Sequence, residues 1–139
     1  MDKNLIKIKL KNITEYLEYL EKTHKKYLKE NDDFEKIILK TSMAKFIEEI
    51  VENAIKINTI ILKENKLYAE NYYQSFNLLK KILNLDEDFI EEIAKTTSFR
   101  NNIVHNYNDI ITQKNIENNI EPIIYLYKQY YLIVKKIVS

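Results

Sequence analysis

The chain has 139 residues, 45% hydrophobic and 31% charged, with 22 basic side chains against 21 acidic ones. That length suits one helical domain over residues 1–139 with one core, and the composition is that of a folded protein rather than a disordered chain. The lack of cysteine excludes disulfides, thiolate catalysis and Cys-ligated zinc, and the lack of glycine excludes GxxxxGKS and GxGxxG phosphate loops. No apolar run approaches the roughly eighteen residues of a membrane span. The opening, MDKNLIKIKLKN, lacks the layout of a secretory signal, so a cytoplasmic protein is expected.

The periodicity is helical nearly throughout, with no alternating strand pattern. Ile6, Leu10, Ile13, Leu17, Leu20, His24 and Tyr27 form one apolar stripe on a first helix of roughly 25–30 residues, expected to end at Asn31 in the left-handed conformation. Asp32-Asp33-Phe34-Glu35 reads as a capping box opening a second helix. Its inward face is Ile37, Ile38, Phe46, Ile47, Ile50, Val51, Ala54, Ile57 and Ile61, with a kink expected at Thr41-Ser42. Asn65 and Asn84 bound a third helix carrying Tyr72, Tyr73, Phe76, Leu79 and Leu83. Asp86-Glu87-Asp88 places three acids at the start of a fourth, which Thr96-Thr97-Ser98 is expected to break, Ser98 capping a short continuation to Tyr107 that Asn108 ends. The last helix should run from Thr112 to Ile137, bent at Pro122, with Lys135 and Lys136 at its negative end. The expected architecture is all-α, an up-and-down bundle of about five helices. Tyr125, Tyr127, Tyr130 and Tyr131 read as core plus a helix–helix dimer face, with a base-stacking platform as the alternative.

One signal is hidden in the composition. Twenty-one of the 22 basic residues are lysine, and only Arg100 is arginine. An arginine that persists in so lysine-rich a sequence marks a place where the planar fork is needed. Residues 1–30 sum to +3 and 111–139 to +2, against −1 for 31–69 and −3 for 70–110, so any positive channel must come from the first and last helices or from pairing of two chains.

Arg100 sits in Ser98-Phe99-Arg100-Asn101-Asn102-Ile103-Val104-His105-Asn106-Tyr107, which also holds one of only two histidines. On a helix Arg100 and Tyr107 lie about 20° apart, whereas Arg100 and His105 are about 140° apart. The latter two converge only through the arginine's length, a local bend or two protomers. Asn101 and His105 are an i,i+4 pair on an adjoining face. Ile103 and Val104 are expected to anchor the helix in the core.

These residues suit RNA cleavage. His105 can take a proton from a ribose 2′-hydroxyl or give one to the leaving 5′-oxygen, and Arg100 can grip the phosphate bidentately. Asn101 or Tyr107 can bond a phosphate oxygen or orient the imidazole. No metal or cofactor is called for, and the second proton-transfer group stays unassigned, a His105 across a dimer being one solution. A structural role, with arginine or histidine capping carbonyls near Asn108, accounts for the same residues. His24, on the first apolar stripe, reads as a core or interface histidine, with a second proton donor as the alternative. Lys25-Lys26 and Lys80-Lys81 read as solvated faces.

The pattern Arg-Asn-x-x-x-His-x-Tyr, here Arg100, Asn101, His105 and Tyr107, resembles the signature of the HEPN superfamily in its HepT-like toxin branch. The resemblance covers about residues 5–137 and is strongest over 42–110. It implies a metal-independent endoribonuclease toxin that dimerises with its motif helices beside a shared cleft. Such a toxin is paired with an MntA-like nucleotidyltransferase antitoxin that transfers AMP to the motif tyrosine. Carried over, Arg100 and His105 are catalytic, Asn101 supports them, and Tyr107 is both a site residue and the AMP acceptor. Asn102 and Asn106 depart from the family's usual apolar or acidic residues. The rival from another class is a non-catalytic HEPN partner that presents substrate to such a nucleotidyltransferase. A dimerising structural bundle is a third possibility.

Overall fold

The computed structural model describes residues 1–106 and 115–139, and these contain five helices. They are α1 (Lys3–Lys29), α2 (Asp33–Glu64), α3 (Tyr72–Leu83), α4 (Glu87–His105) and α5 (Asn115–Val138). No strand occurs among the described residues, and no described helix is long and apolar enough to cross a membrane.

The first four helices each start on a polar cap. Asp2, Asp32, Asn71 and Asp86 accept the backbone N–H three residues on, from Leu5, Glu35, Gln74 and Phe89, at 2.8–3.0 Å. The third helix therefore begins after Asn71, not at Asn65. The capping box at Asp32 is half made: its own N–H goes to Glu30 Oε1 at 3.2 Å, and Glu35 contributes only its backbone.

The C-termini depart from the expected use of asparagine. The first helix ends at Glu30, whose backbone is extended, so Asn31 is not a left-handed stop. At the end of α2 the left-handed residue is Lys66, φ 57°, one past Asn65. There Leu67 N–H bonds Leu62 O at 2.9 Å and Lys66 N–H bonds Lys63 O at 3.0 Å, the paired bonds of a Schellman motif. Only Asn84, φ 50°, takes the left-handed role expected of it.

α1 and α2 form an antiparallel hairpin, held by an Asn12–Asn53 hydrogen bond of 3.2 Å and a cluster of Tyr16, Tyr19 and Phe46 rings. α5 returns antiparallel to α1, and α3 and α4 form a second hairpin across α2. Among the described helices α2 alone touches the other four. That is why its buried residues, from Met43 through Leu62, spread beyond one stripe, whereas α1 buries a single row. That row is the expected one except at His24, which is half-buried. Each fully buried isoleucine or leucine in it contributes about 1.5–3 kcal/mol.

Two inward assignments fail at the start of α2, since Ile37 and Ile38 are 49% and 44% exposed. Near its start α5 is tied to α2 just beyond these two residues, through a 3.0 Å Lys40–Glu117 pair. Tyr27 donates to the same Glu117, and the Lys40 ammonium lies 5.6 Å from the Tyr27 ring centre. Burial first, then the bond to Glu117, pushes the Tyr27 hydroxyl above its ordinary range. α2 runs unbroken through Thr41-Ser42, and Pro122 lies inside α5. The expected start at Thr112 and the stop at Asn108 lie outside the described residues.

The tyrosines of α5 divide by face. Tyr127 and Tyr130 are buried, Tyr131 is half-buried and Tyr125 is exposed. Tyr130 donates to Asn58 Oδ1 at 2.6 Å, with Ala54 O at 3.1 Å, and Asn58 Nδ2 donates to Ser75 Oγ at 3.2 Å, which bonds Tyr72 O at 2.7 Å. This buried relay ties α5, α2 and the first turn of α3 together.

Candidate active site at the end of α4

α4 is built to deliver its last two turns to one place. Asp86, Glu87 and Asp88 load its N-terminus with negative charge, and Ile90, Ile93, Ala94, Thr97 and Ile103 bury its inner side. The expected break at Thr96-Thr97-Ser98 does not occur. The Thr96 and Thr97 hydroxyls donate to the carbonyls of Ile93 and Ala94 at 2.6 and 2.7 Å, within the helix, so they satisfy themselves without competing for the backbone. Thr96 also meets the Tyr127 hydroxyl at 2.6 Å, pinning mid-helix to α5. Ser98 is an exposed residue of a continuous helix and caps nothing.

One turn on, Arg100 turns into the seam between α2 and α3. Its Nη2 donates to Glu52 Oε2 at 2.8 Å and its Nη1 to Asn101 Oδ1 at 3.2 Å. The guanidinium carbon lies 5.5 Å from the centre of the Tyr72 ring, a cation–π contact. The side chain is 15% exposed, and Nε is sealed from solvent without a hydrogen-bond partner. Glu52, by contrast, is 36% exposed, and its other oxygen lies 3.9 Å from Lys56. Arg100 is thus clamped by a carboxylate, an amide and an aromatic face, at a site open on the Glu52 side. Removing Glu52 strands a mostly covered guanidinium, whereas removing Arg100 leaves a carboxylate that water still reaches, so the first loss costs more.

His105 is the last residue of α4 and is exposed; its side chain has no hydrogen bond to any described residue. Asn106 closes the helix, its N–H bonding Asn102 O at 2.7 Å. Ile103 is buried as expected, but Val104 is 42% exposed and does not anchor the core. On an uninterrupted helix residues 103 and 104 are about 100° apart, and only one of them can face α2 and α5. A hydrogen bond therefore joins Arg100 and Asn101, while among the described residues none joins His105 to either. Tyr107 lies outside the described residues.

Glu52 and Tyr72 are the residues that motif reading missed. Tyr72, read from the sequence only as a residue of the third helix, is 45% exposed, with Arg100 lying over its ring. Glu52 is 48 residues from Arg100 in sequence and shares its helix with Glu48 and Glu49, from which no pattern separates it. The only hint was that a lone arginine buried on a helix needs a counter-charge. His24 lines a groove between α1 and α5, with Tyr125 and Lys128, to which Arg100, Asn101 and His105 do not contribute. Among the described residues no group of three or more His, Asp or Glu side chains could hold a metal ion.

Comparison with known proteins places this geometry in a context. The family described as ribonuclease HepT-like matches residues 12–129. The tri-AMPylated Shewanella oneidensis HEPN toxin, solved in complex with MNT antitoxin, superposes with a TM-score of 0.80 at 18% identity, over 98% of this chain and 99% of that one. A mutant of the MntA–HpeT toxin–antitoxin pair gives 0.77 at 18% identity, over 96% and 98%. At such identity the likeness establishes the fold. No curated protein matches the sequence.

Proposed function

We propose, from the premise that this chain belongs to the family of HepT-like ribonucleases, that it is a metal-independent endoribonuclease toxin of a type VII-like toxin–antitoxin pair. The observation that carries this is the Arg100 clamp: a guanidinium held between a half-open carboxylate and an aromatic face, five residues before an exposed histidine on the same helix. Nothing in the packing of α4 requires that histidine.

Cleavage proceeds by attack of a ribose 2′-hydroxyl on the adjacent phosphorus. Arg100 offsets the charge gathering on the phosphate oxygens, Asn101 holds the guanidinium's other edge, and His105 moves a proton. Because α4 is continuous and Arg100 is pinned to Glu52, neither a bend nor the arginine's reach brings the pair together. A homodimer, with the ends of two α4 helices side by side, supplies each arginine with the other protomer's His105. The whole of residues 1–139 acts as one HEPN-like unit in the cytoplasm. Its RNA substrate, a transfer or messenger RNA, contacts it only transiently.

Neutralisation falls to a cognate MntA-like nucleotidyltransferase. The Tyr107 hydroxyl attacks the α-phosphorus of ATP, pyrophosphate leaves, and AMP stays on the tyrosine. Its bulk and negative charge then occupy the place of the substrate phosphate. The Shewanella oneidensis toxin, tri-AMPylated in its complex with MNT antitoxin, supports this step.

The test is expression of the chain alone. Growth should arrest, and Arg100→Ala or His105→Ala should relieve the arrest; arrest that persists in both variants overturns the nuclease assignment. Incubation with the nucleotidyltransferase and ATP should add AMP by mass spectrometry, and a Tyr107→Phe protein that gains it equally removes Tyr107 as acceptor.

A further inference from the structure

Attack by a 2′-hydroxyl needs two proton transfers on opposite sides of phosphorus: a base takes the hydroxyl proton, and an acid protonates the departing 5′-oxygen. One imidazole serves only one of these roles in a given cleavage. The clamp around Arg100 contains one proton acceptor in direct contact with the guanidinium, the Glu52 carboxylate, 2.8 Å from Nη2. Two further features suit it to the role. It is the open member of the pair, reachable by substrate while Arg100 is mostly covered. Among the described residues its Oε1 has only the long 3.9 Å contact with Lys56, which leaves it able to accept a hydroxyl proton. The other charged or titratable groups around it are accounted for. On α2, Glu48 and Glu49 lie a turn away and pair with Lys45 at 3.7 and 3.2 Å; on α4 there is Arg100 beside Asn101; on α3 there is Tyr72.

We propose, resting on the ribonuclease reading above, that Glu52 is the second catalytic residue and acts as the general base, with His105 as the acid. When one N–H edge of Arg100 turns to a phosphate oxygen, the guanidinium sets carboxylate and phosphate side by side, which brings Glu52 to the neighbouring ribose. The carboxylate takes the 2′-hydroxyl proton as that oxygen bonds phosphorus. The bond from phosphorus to the 5′-oxygen breaks, and that oxygen takes a proton from the His105 imidazolium of the other protomer. The products are a 2′,3′-cyclic phosphate end and a 5′-hydroxyl end. Water then returns the proton from Glu52 to solvent and restores one to His105.

The experiment measures kcat and KM of the full-length protein on total cellular RNA between pH 4.5 and 9, for wild type, Glu52→Gln, Glu52→Asp and His105→Ala. Glutamine keeps an oxygen for Arg100 but cannot accept the proton. It should lower kcat about 100- to 10 000-fold and abolish the acidic limb of the pH profile, with KM changed little. Aspartate should keep the limb with a smaller fall in kcat. A Glu52→Gln protein with wild-type kcat and an intact acidic limb overturns the assignment, as does a loss confined to KM, which marks a positioning role. Should the glutamine variant fail to fold, aspartate decides by the same readouts: lowered kcat with the limb retained supports the base, and unchanged kcat overturns it. RNA left whole by wild type, or cut equally by His105→Ala, overturns the ribonuclease reading and this assignment with it. RNA cut by wild type, spared by His105→Ala and cut at full rate by Glu52→Gln overturns the assignment alone.

Discussion

Replacing Tyr130 by phenylalanine removes one buried hydroxyl and leaves the ring's packing against Phe76 and Tyr127 in place. The hydroxyl's main partner is Asn58 Oδ1, at 2.6 Å in a residue with no solvent exposure. Its amide nitrogen is already committed to Ser75, so a rotation that rescued the oxygen would break that bond instead. The variant therefore leaves one buried acceptor unpaired, at a cost of about 1–3 kcal/mol. For 139 residues the unfolding entropy is about 0.3 kcal/mol per kelvin, so the melting midpoint should fall by about 3–10 °C. Circular dichroism at 222 nm on heating measures it, and Asn58→Leu with the double variant closes a cycle. The two losses should be less than additive, since the leucine also removes the stranded oxygen. An alkaline arm tests the same burial. Loss of solvation holds the hydroxyls of Tyr130 and Tyr127 well above the ordinary tyrosine value of 10.0, so both stay protonated in the fold, whereas the unfolded chain releases their protons near 10. Their contribution is full below about pH 10 and is lost as pH climbs from there toward the folded values, by up to about 1.4 kcal/mol per pH unit for each phenol. Tyr130→Phe should flatten that slope. A midpoint within about 1 °C of wild type, with an unchanged alkaline slope, would refute the relay.

Three more outcomes follow from the geometry. Arg100→Lys keeps a charge for Glu52 but loses the second edge to Asn101 and the flat face over Tyr72; RNA cleavage should drop at least about 100-fold with the fold retained, and full activity would show that charge alone suffices. Lys66→Gly relieves a left-handed residue that carries a Cβ, and urea titration should find the protein more stable by about 1 kcal/mol. Asp86→Ala strips the cap from α4 and should cost about 1 kcal/mol, with faster amide exchange at Phe89 as the local signature.

The helices were legible because their apolar spacing is a local property. The α1 stripe, the acidic residues at the starts of α2 and α4 and the paired positions on α4 all follow from a 3.6-residue repeat and the needs of free N–H groups. The errors share a cause. Ile37, Ile38 and Val104 have the right residue type for the core, but burial depends on whether another helix arrives to cover them. Thr96-Thr97 has the composition of a break, yet their hydroxyls find carbonyls inside the helix and Tyr127 outside it. Asn31 and Asn65 have the right type for a left-handed turn, but Glu30 ends α1 in an extended conformation and Lys66 takes the turn after α2.

By itself the amino-acid order determined that this protein is helical, where α4 begins, and that Arg100 and His105 stand five residues apart on helical backbone. Only the tertiary structure decided what holds the arginine. Glu52 and Tyr72 reach it from two other helices, across 48 and 28 residues of chain, and neither has a periodic or spacing signature. Spacing along one helix is set by the backbone's own repeat, whereas a counter-charge comes from whichever neighbour packing brings within 3 Å.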